Sequence, residues 1–348
     1  MARKAILGIC FITSLLNCTR SKSDDIDLLF QRYQNKSPGA AFMVIHKGGV
    51  IDERYYGLAD LEKSKPINRT TNFRLASVTK QFTAISILQL MENGKLEFST
   101  GLREIFPEFP DYANQINFGQ LLHHTSGIVS YESLIPDSAT VPVSDHDVLQ
   151  LLLEADSTYF MPGAGYRYSN SGYSLLALTV ERLSGSSFPE YLQEYIFAPT
   201  EMRSSVAYVN GINTVPNRAY GYNVENGVVE FSDQSMTSSV LGDGGIYSSI
   251  ADLFKWDQAL YHHNLIGETW LDSAFSPWLE HYGCGFRIED YKGYKRISHT
   301  GSTSGFRTVY QRFPESEFSV IVLTNRREPG VQYLAEALTD IYLLKIKD

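Results

Sequence analysis

The chain has 348 residues, 43% of them hydrophobic and 13% aromatic, with a formal net charge of -9 and a pI of about 5.4. That length exceeds one small core and implies two subdomains or one large mixed domain. The acidic balance argues against nucleic acid or an anionic membrane surface as the primary partner.

Arg3 and Lys4 precede a short apolar stretch, residues 5–16. A spanning helix needs roughly 20 apolar residues, so this stretch reads as an export signal. It ends in Leu15-Leu16-Asn17-Cys18, which resembles a bacterial lipobox, although Asn17 departs from the small residue usual there. Cys18 is therefore the candidate lipidation site, and the chain is expected in the cell envelope, held to a bacterial membrane by a lipid anchor. Residues 1–18 form the signal, 19–25 a polar tether, and 26–348 the folded part. Of the cysteines Cys10, Cys18 and Cys284, only Cys284 then remains in the folded part, which rules out an internal disulfide.

Residues 25–33 read as a short amphipathic helix, and 40–46 and 50–56 as strands joined by Lys47-Gly48-Gly49. An apolar helix is expected over 78–91, stopping at Asn93-Gly94. Helices follow at 118–123 and at 145–153, the latter capped by Ser144. In the next helix, 171–183, Tyr173, Leu176, Val180 and Leu183 share one face, which is expected to be the buried one. Asn226-Gly227 predicts a hairpin between 220–224 and 228–231. A helix at 248–260, strands at 285–289, 294–298, 307–313 and 318–323, and a helix at 332–344 complete the chain. Strands at both ends around a helical middle predict an α+β fold. Its antiparallel sheet draws on about 26–76 and 280–348 and is flanked by helices, and a mainly helical subdomain, about 77–279, is inserted between them.

Ser77-Val78-Thr79-Lys80 is the only Ser-x-x-Lys in the sequence, and it opens the apolar helix. Residues three apart on a helix share a face. A serine hydroxyl needs a base within reach to become a nucleophile. A lysine serves as that base if burial and the positive end of the helix dipole disfavour its charged form. The helix start also offers free N–H groups for an oxyanion. Tyr168-Ser169-Asn170 precedes the helix at 171–183; a phenol beside the lysine could shuttle protons, and Asn170 could orient the lysine and donate to a substrate amide oxygen. His299-Thr300-Gly301 follows a strand. Gly301 would let a substrate backbone lie close to that strand, and the N–H of Ser302 could be a second oxyanion donor. Alone, His299 would read as a surface histidine at a strand end.

Taken in order, Ser77-x-x-Lys80, Tyr168-x-Asn170 and His299-x-Gly301 resemble the three motifs of the serine β-lactamase and penicillin-binding-protein family. The likeness is to its class C-like branch, which includes esterases and D-stereospecific peptidases. The sibling class A enzymes share the Ser-x-x-Lys motif. Leu121 to Gly127, Pro162-Gly163 and Gly242-Asp243-Gly244-Gly245 resemble further landmarks of the branch, and the likeness spans about residues 31–343. The resemblance implies a β-lactamase/transpeptidase-like fold and an acyl-enzyme on Ser77, with Lys80 and Tyr168 as acid–base groups. It implies substrate contacts from Asn170, His299, Thr300, Gly301 and Ser302, no metal and no cofactor. True β-lactamases and carboxypeptidases usually carry lysine where this chain has His299, so the resemblance favours an ester or D-amino-acid peptide over penicillin or terminal D-alanine. His123-His124 reads as a packing landmark. The expected partners are a small-molecule or peptide substrate and the membrane. The competing reading is a catalytically silent lipoprotein that binds cell-wall peptides. A lipase of the α/β-hydrolase type is excluded, because no Gly-x-Ser-x-Gly elbow occurs.

Overall fold

The computed structural model describes residues 22–344. The signal, Cys10, Cys18 and the first residues of the tether lie outside them. Helix α1, Lys22–Leu29, starts earlier than expected and takes in the end of the tether. Asp24 and Asp25 sit in its first turn, where carboxylates favour the helix dipole. A 3-10 turn, Gln31–Tyr33, follows. Phe30, between the two, stacks on Phe42 and Tyr56 with ring centroids 5.0 Å apart in each case, which pins this segment to the sheet.

Strands β1 (Ala40–His46) and β2 (Gly49–Tyr56) form the expected hairpin. Short strands follow: β3 (Leu58–Asp60), β4 (Lys65–Pro66) and β5 (Phe73–Arg74). The helical part comprises α2 (Lys80–Glu92), α3 (Leu102–Ile105), α4 (Phe118–Leu122), α5 (Asp145–Leu153), α6 (Asn170–Ser184) and α7 (Phe188–Leu192). A π-helical turn, Gln193–Phe197, extends α7. Then come β6 (Val206–Ala207), the hairpin β7 (Tyr222–Glu225) and β8 (Val228–Phe231), β9 (Ile246–Ser248), α8 (Ile250–His262) and α9 (Glu268–Ala274). The chain closes with β10 (Arg287–Tyr291), β11 (Tyr294–Thr303), β12 (Phe306–Phe313), β13 (Phe318–Thr324) and α10 (Gln332–Tyr342).

The main sheet is antiparallel with six strands in the order β10-β11-β12-β13-β1-β2, so the chain's two ends do build it together. Its N-terminal contribution is narrower than expected, β1 and β2 alone; β3 pairs with β4, and β5 joins β9 and β6 in a separate small sheet. β1 and β13 are apolar at nearly every position because both faces of the sheet are covered. Ala41, Met43 and Ile45 face the core shared with the helical part. Phe42 and Val44 face a second core under α1 and α10.

Helix α2 is buried all round from Lys80 to Met91, and α6 is buried from Ser171 to Val180. The single buried face expected for α6 is thus a correction: α6 packs against α2, α4, α5 and α7, so Ser174, Ala177 and Leu178 are enclosed too. Helices hydrophobic on all sides belong at the centre of a domain. Among the described residues no helix is long and apolar enough to cross a membrane.

Candidate active site

Ser77 lies in a 3-10 turn, Ala76–Thr79, and α2 begins only at Lys80. A 3-10 turn has three residues per turn, so positions 77 and 80 eclipse more closely than on an α-helix. From Thr71 to Met91 every residue is buried except Ser77, which is partly exposed. The turn is held from several sides. Leu75 N–H donates to Ile246 O at 2.8 Å, joining it to β9. Thr308 Oγ1 donates to Leu75 O at 2.7 Å, joining it to β12. Ala76 has φ +48°, a left-handed conformation costly for a residue with a Cβ and found where the surroundings enforce it.

Lys80 is fully buried. Its Nζ lies 3.3 Å from Ser77 Oγ and donates to Asn170 Oδ1 and Asp243 O, each at 2.8 Å. Three acceptors around one amine match the three N–H donors of an ammonium, and loss of one proton would free a lone pair within reach of the serine hydroxyl. Asn170 is oriented in turn, its Nδ2 donating to Glu132 Oε1 at 2.6 Å. Asp243 receives Tyr131 Oη at 3.1 Å; burial raises its carboxyl to about 6, opposed by Lys80. Behind it, the carboxylate of Asp145 accepts the N–H groups of Leu241 (2.7 Å) and Gly242 (3.2 Å) and is raised by burial to about 7. Sequence reading missed Tyr131, Glu132 and Asp145. The glycine-rich stretch around Asp243 stood out in the sequence, but nothing marked its carbonyl as a lysine partner.

The ring of Tyr168 has its centroid 4.9 Å from Lys80 Nζ. Its hydroxyl is buried with no hydrogen-bond partner among the described residues, so the amine meets the ring rather than bonding the oxygen. His124 lies 4.4 Å from the Tyr168 ring, and its Nδ1 accepts Ser169 N–H at 3.1 Å. Burial, reinforced by Lys80, holds His124 well below its ordinary pKa and thus neutral. His123 stacks on Trp278 at 4.0 Å and is lowered by burial to about 4; this packing role is as expected. Cys284 is buried beside it, 3.7 Å from His123 Nε2, and burial pushes its thiol up.

His299 is not a surface residue. It is 2% exposed, its Nδ1 donates to Thr300 O at 2.7 Å, and its Nε2 accepts from Tyr282 Oη at 3.0 Å. Burial first and Lys80 second lower it to about 3, so it is neutral and both nitrogens are occupied. Gly301 also differs from expectation. A Cβ there would lie 2.1 Å from Leu75 O, so the missing side chain admits the Ser77 turn rather than a substrate backbone. Thr300 sits across from Val309 and borders a small polar pocket with Ser298, Gln311 and Arg287, while Ser302 is exposed. β10 pairs with β11 only as far as Ser298, which leaves the outer edge of residues 300–303 unpaired by β10. Arg287, at that end of β10, has its guanidinium 5.7 Å from the Tyr282 ring and 6.0 Å from the Tyr168 ring, a cation at the cleft that the sequence did not flag.

The sequence profile of the family described as Beta-lactamase matches residues 26–343. A penicillin-binding protein from Bacillus subtilis is 30% identical over 331 residues, covering 89% of this chain and 73% of that protein. A D-aminopeptidase from Brucella canis is 27% identical over 83% of this chain, which spans 57% of the relative's length. The crystal structure of a penicillin binding protein from Bacillus halodurans superposes with a TM-score of 0.79 at 27% identity, covering 92% of this chain and 99% of that one.

Proposed function

The chain belongs to the beta-lactamase family, and from that premise we propose that it is a serine hydrolase that opens an ester or amide through an acyl-enzyme on Ser77. The observation that carries this reading is the partner set of Lys80 Nζ, two acceptors and the serine hydroxyl. In acylation the Ser77 O–H proton passes to Lys80 Nζ while Oγ bonds to the carbonyl carbon. The displaced π electrons settle on the oxyanion, which the N–H groups of Ser77 and Ser302 receive. Collapse expels the alcohol or amine, which takes its proton from Lys80, directly or through the free hydroxyl of Tyr168. Water then gives a proton to the same groups and attacks the ester carbon, and the acid leaves as Ser77 regains its hydrogen.

The edge of residues 300–303 that β10 leaves unpaired suits an extended acyl chain, which can pair with the main chain of Ser302, the Thr300 carbonyl being taken by His299. Arg287 beside Tyr168 supplies positive charge where His299 supplies none, which favours a peptide-like substrate bearing a carboxylate on the leaving side. D-configured peptide or ester substrates follow from the named activity of the D-aminopeptidase relative. Export, and a lipid anchor at Cys18, complete the proposal.

The test is intact-mass labelling with a fluorophosphonate. One adduct per chain, located on Ser77 and absent in Ser77→Ala, is expected. No adduct with any acylating reagent would instead favour a silent binder. A panel of p-nitrophenyl esters, nitrocefin and D-amino-acid peptides then separates the substrate classes.

A further inference from the structure

An open cavity of about 850 Å³ lies away from Ser77, bordered by α5, α6, α7, the π-helical turn and the segment 206–213. That is within the size range of small-molecule sites. Its floor is apolar, with Leu178, Phe188 and Phe197 buried, and Ile212 at its lining is 82% exposed. Four acidic residues line it, the buried Asp145 and the more accessible Glu181, Glu190 and Glu194 that supply its negative charge, together with one histidine, His146, and no lysine or arginine among the described lining residues. Negative charge around an apolar floor complements a molecule with an apolar body and a cationic head.

Asp145 connects this cavity to the candidate active site. It lines the cavity, and its carboxylate holds the N–H groups of Leu241 and Gly242. Thr83 Oγ1, on α2, grips Gly242 O at 2.7 Å, and the next carbonyl, Asp243 O, is the acceptor of Lys80 Nζ. A cation seated against Asp145 favours its ionised form, competes with those two backbone N–H groups for its oxygens and loosens the loop that holds the lysine.

We propose that this cavity is an effector site for a small amphiphilic cation, whose occupancy slows the chemistry at Ser77 by way of Asp145 and the loop 241–243. The binding half stands on the cavity alone; the kinetic half rests on the proposed hydrolase function. Calorimetry with decyltrimethylammonium below its micelle concentration tests the first half. Saturable binding to one site per chain is expected, about tenfold tighter than decyl sulfate. Ile212→Arg places a fixed cation at an exposed lining position without touching the core and is expected to weaken binding about tenfold or more. Glu181→Gln keeps an oxygen for the Phe188 N–H and is expected to weaken it less. No saturable binding, equal affinity for decyl sulfate, or full affinity in Ile212→Arg overturns the site.

The second half is read on ester hydrolysis. At saturating probe kcat is expected to fall with KM unchanged. A rise in KM alone places the probe in the catalytic cleft and overturns the proposal, and an unchanged kcat overturns the coupling. If no hydrolysis is found with any substrate, the calorimetry still decides the site, so failure of the hydrolase reading and failure of the effector site are separable.

Discussion

Gly301→Ala separates two explanations of the glycine in the third motif. If Gly301 made room for a substrate backbone, an added methyl would raise KM and leave the folded chain as stable as before. The geometry argues otherwise. The new Cβ would stand 2.1 Å from Leu75 O, 2.2 Å from Thr308 Oγ1 and 3.2 Å from the Ala76 Cβ. Leu75 O is backbone and cannot rotate away, and Thr308 Oγ1 can leave only by giving up its bond to that carbonyl. Relaxing these contacts to ordinary separations requires β11 and the Ser77 turn to part by roughly 1 Å. Overpacking together with the lost buried hydrogen bond should cost about 2–4 kcal/mol. A displacement of that size at the proposed nucleophile should lower kcat/KM about 100-fold. The assay is p-nitrophenyl ester hydrolysis beside urea unfolding of the same preparation. A variant of undiminished stability whose only defect is in KM would show that the glycine faces substrate, and the packing argument would be wrong.

Lys80→Met should slow fluorophosphonate labelling of Ser77 by about 100- to 10,000-fold, the range of general-base catalysis; labelling at the parent rate in time-resolved mass spectra would remove Lys80 from the mechanism. His299→Lys would put a second ammonium at a position 2% exposed and near Lys80, and should cost at least about 2 kcal/mol in urea unfolding. An unchanged midpoint would mean the site is wetter than its burial indicates. Asp145 gives a pH dependence. Burial raises it from 3.8 to about 7, so between those values the folded chain keeps a proton that the unfolded chain has lost. Its contribution to stability is full at acid pH and is lost as the pH rises through about 7. Asp145→Asn removes that loss, so the variant's unfolding free energy should rise more, or fall less, from about pH 5 to about pH 7 than the parent's. Equal slopes would refute the assignment.

The elements legible in the sequence were those with a strong local period or turn signal. β1 matched its expected bounds because seven apolar or half-apolar residues precede a glycine turn. The hairpin of β7 and β8 followed from Asn226-Gly227, and α5 from its Ser144 cap, whose side chain accepts Asp147 N–H. α3, α7 and α9 escaped notice, being too short to show a helical period. β5, β6 and β9 have two or three residues each, yet their pairing brings the Asp243 loop against the Ser77 turn. Motif order brought Ser77, Lys80, Tyr168 and Asn170 into one cluster before any coordinates. The residues that fix that cluster were invisible, because contacts such as Glu132 to Asn170 and Asp145 to Leu241 join positions with no shared spacing.

His299 shows how those unseen contacts change the meaning of a motif. With lysine at this position the strand would carry a second buried ammonium close to Lys80, and each cation would disfavour the other. Histidine avoids this by staying neutral, tied to Tyr282 and to the Thr300 carbonyl. The cost is a strand with no charge to offer a carboxylate. Arg287 offers that charge from the edge strand instead, partly exposed, where solvent reduces its repulsion with Lys80. Under the proposed function, a cation at the rim rather than in the strand interior would let Lys80 act as a base while the cleft holds an anionic end. On that proposal carboxylate recognition would not need a lysine in the third motif, and its replacement by histidine would be no argument that this chain prefers uncharged esters.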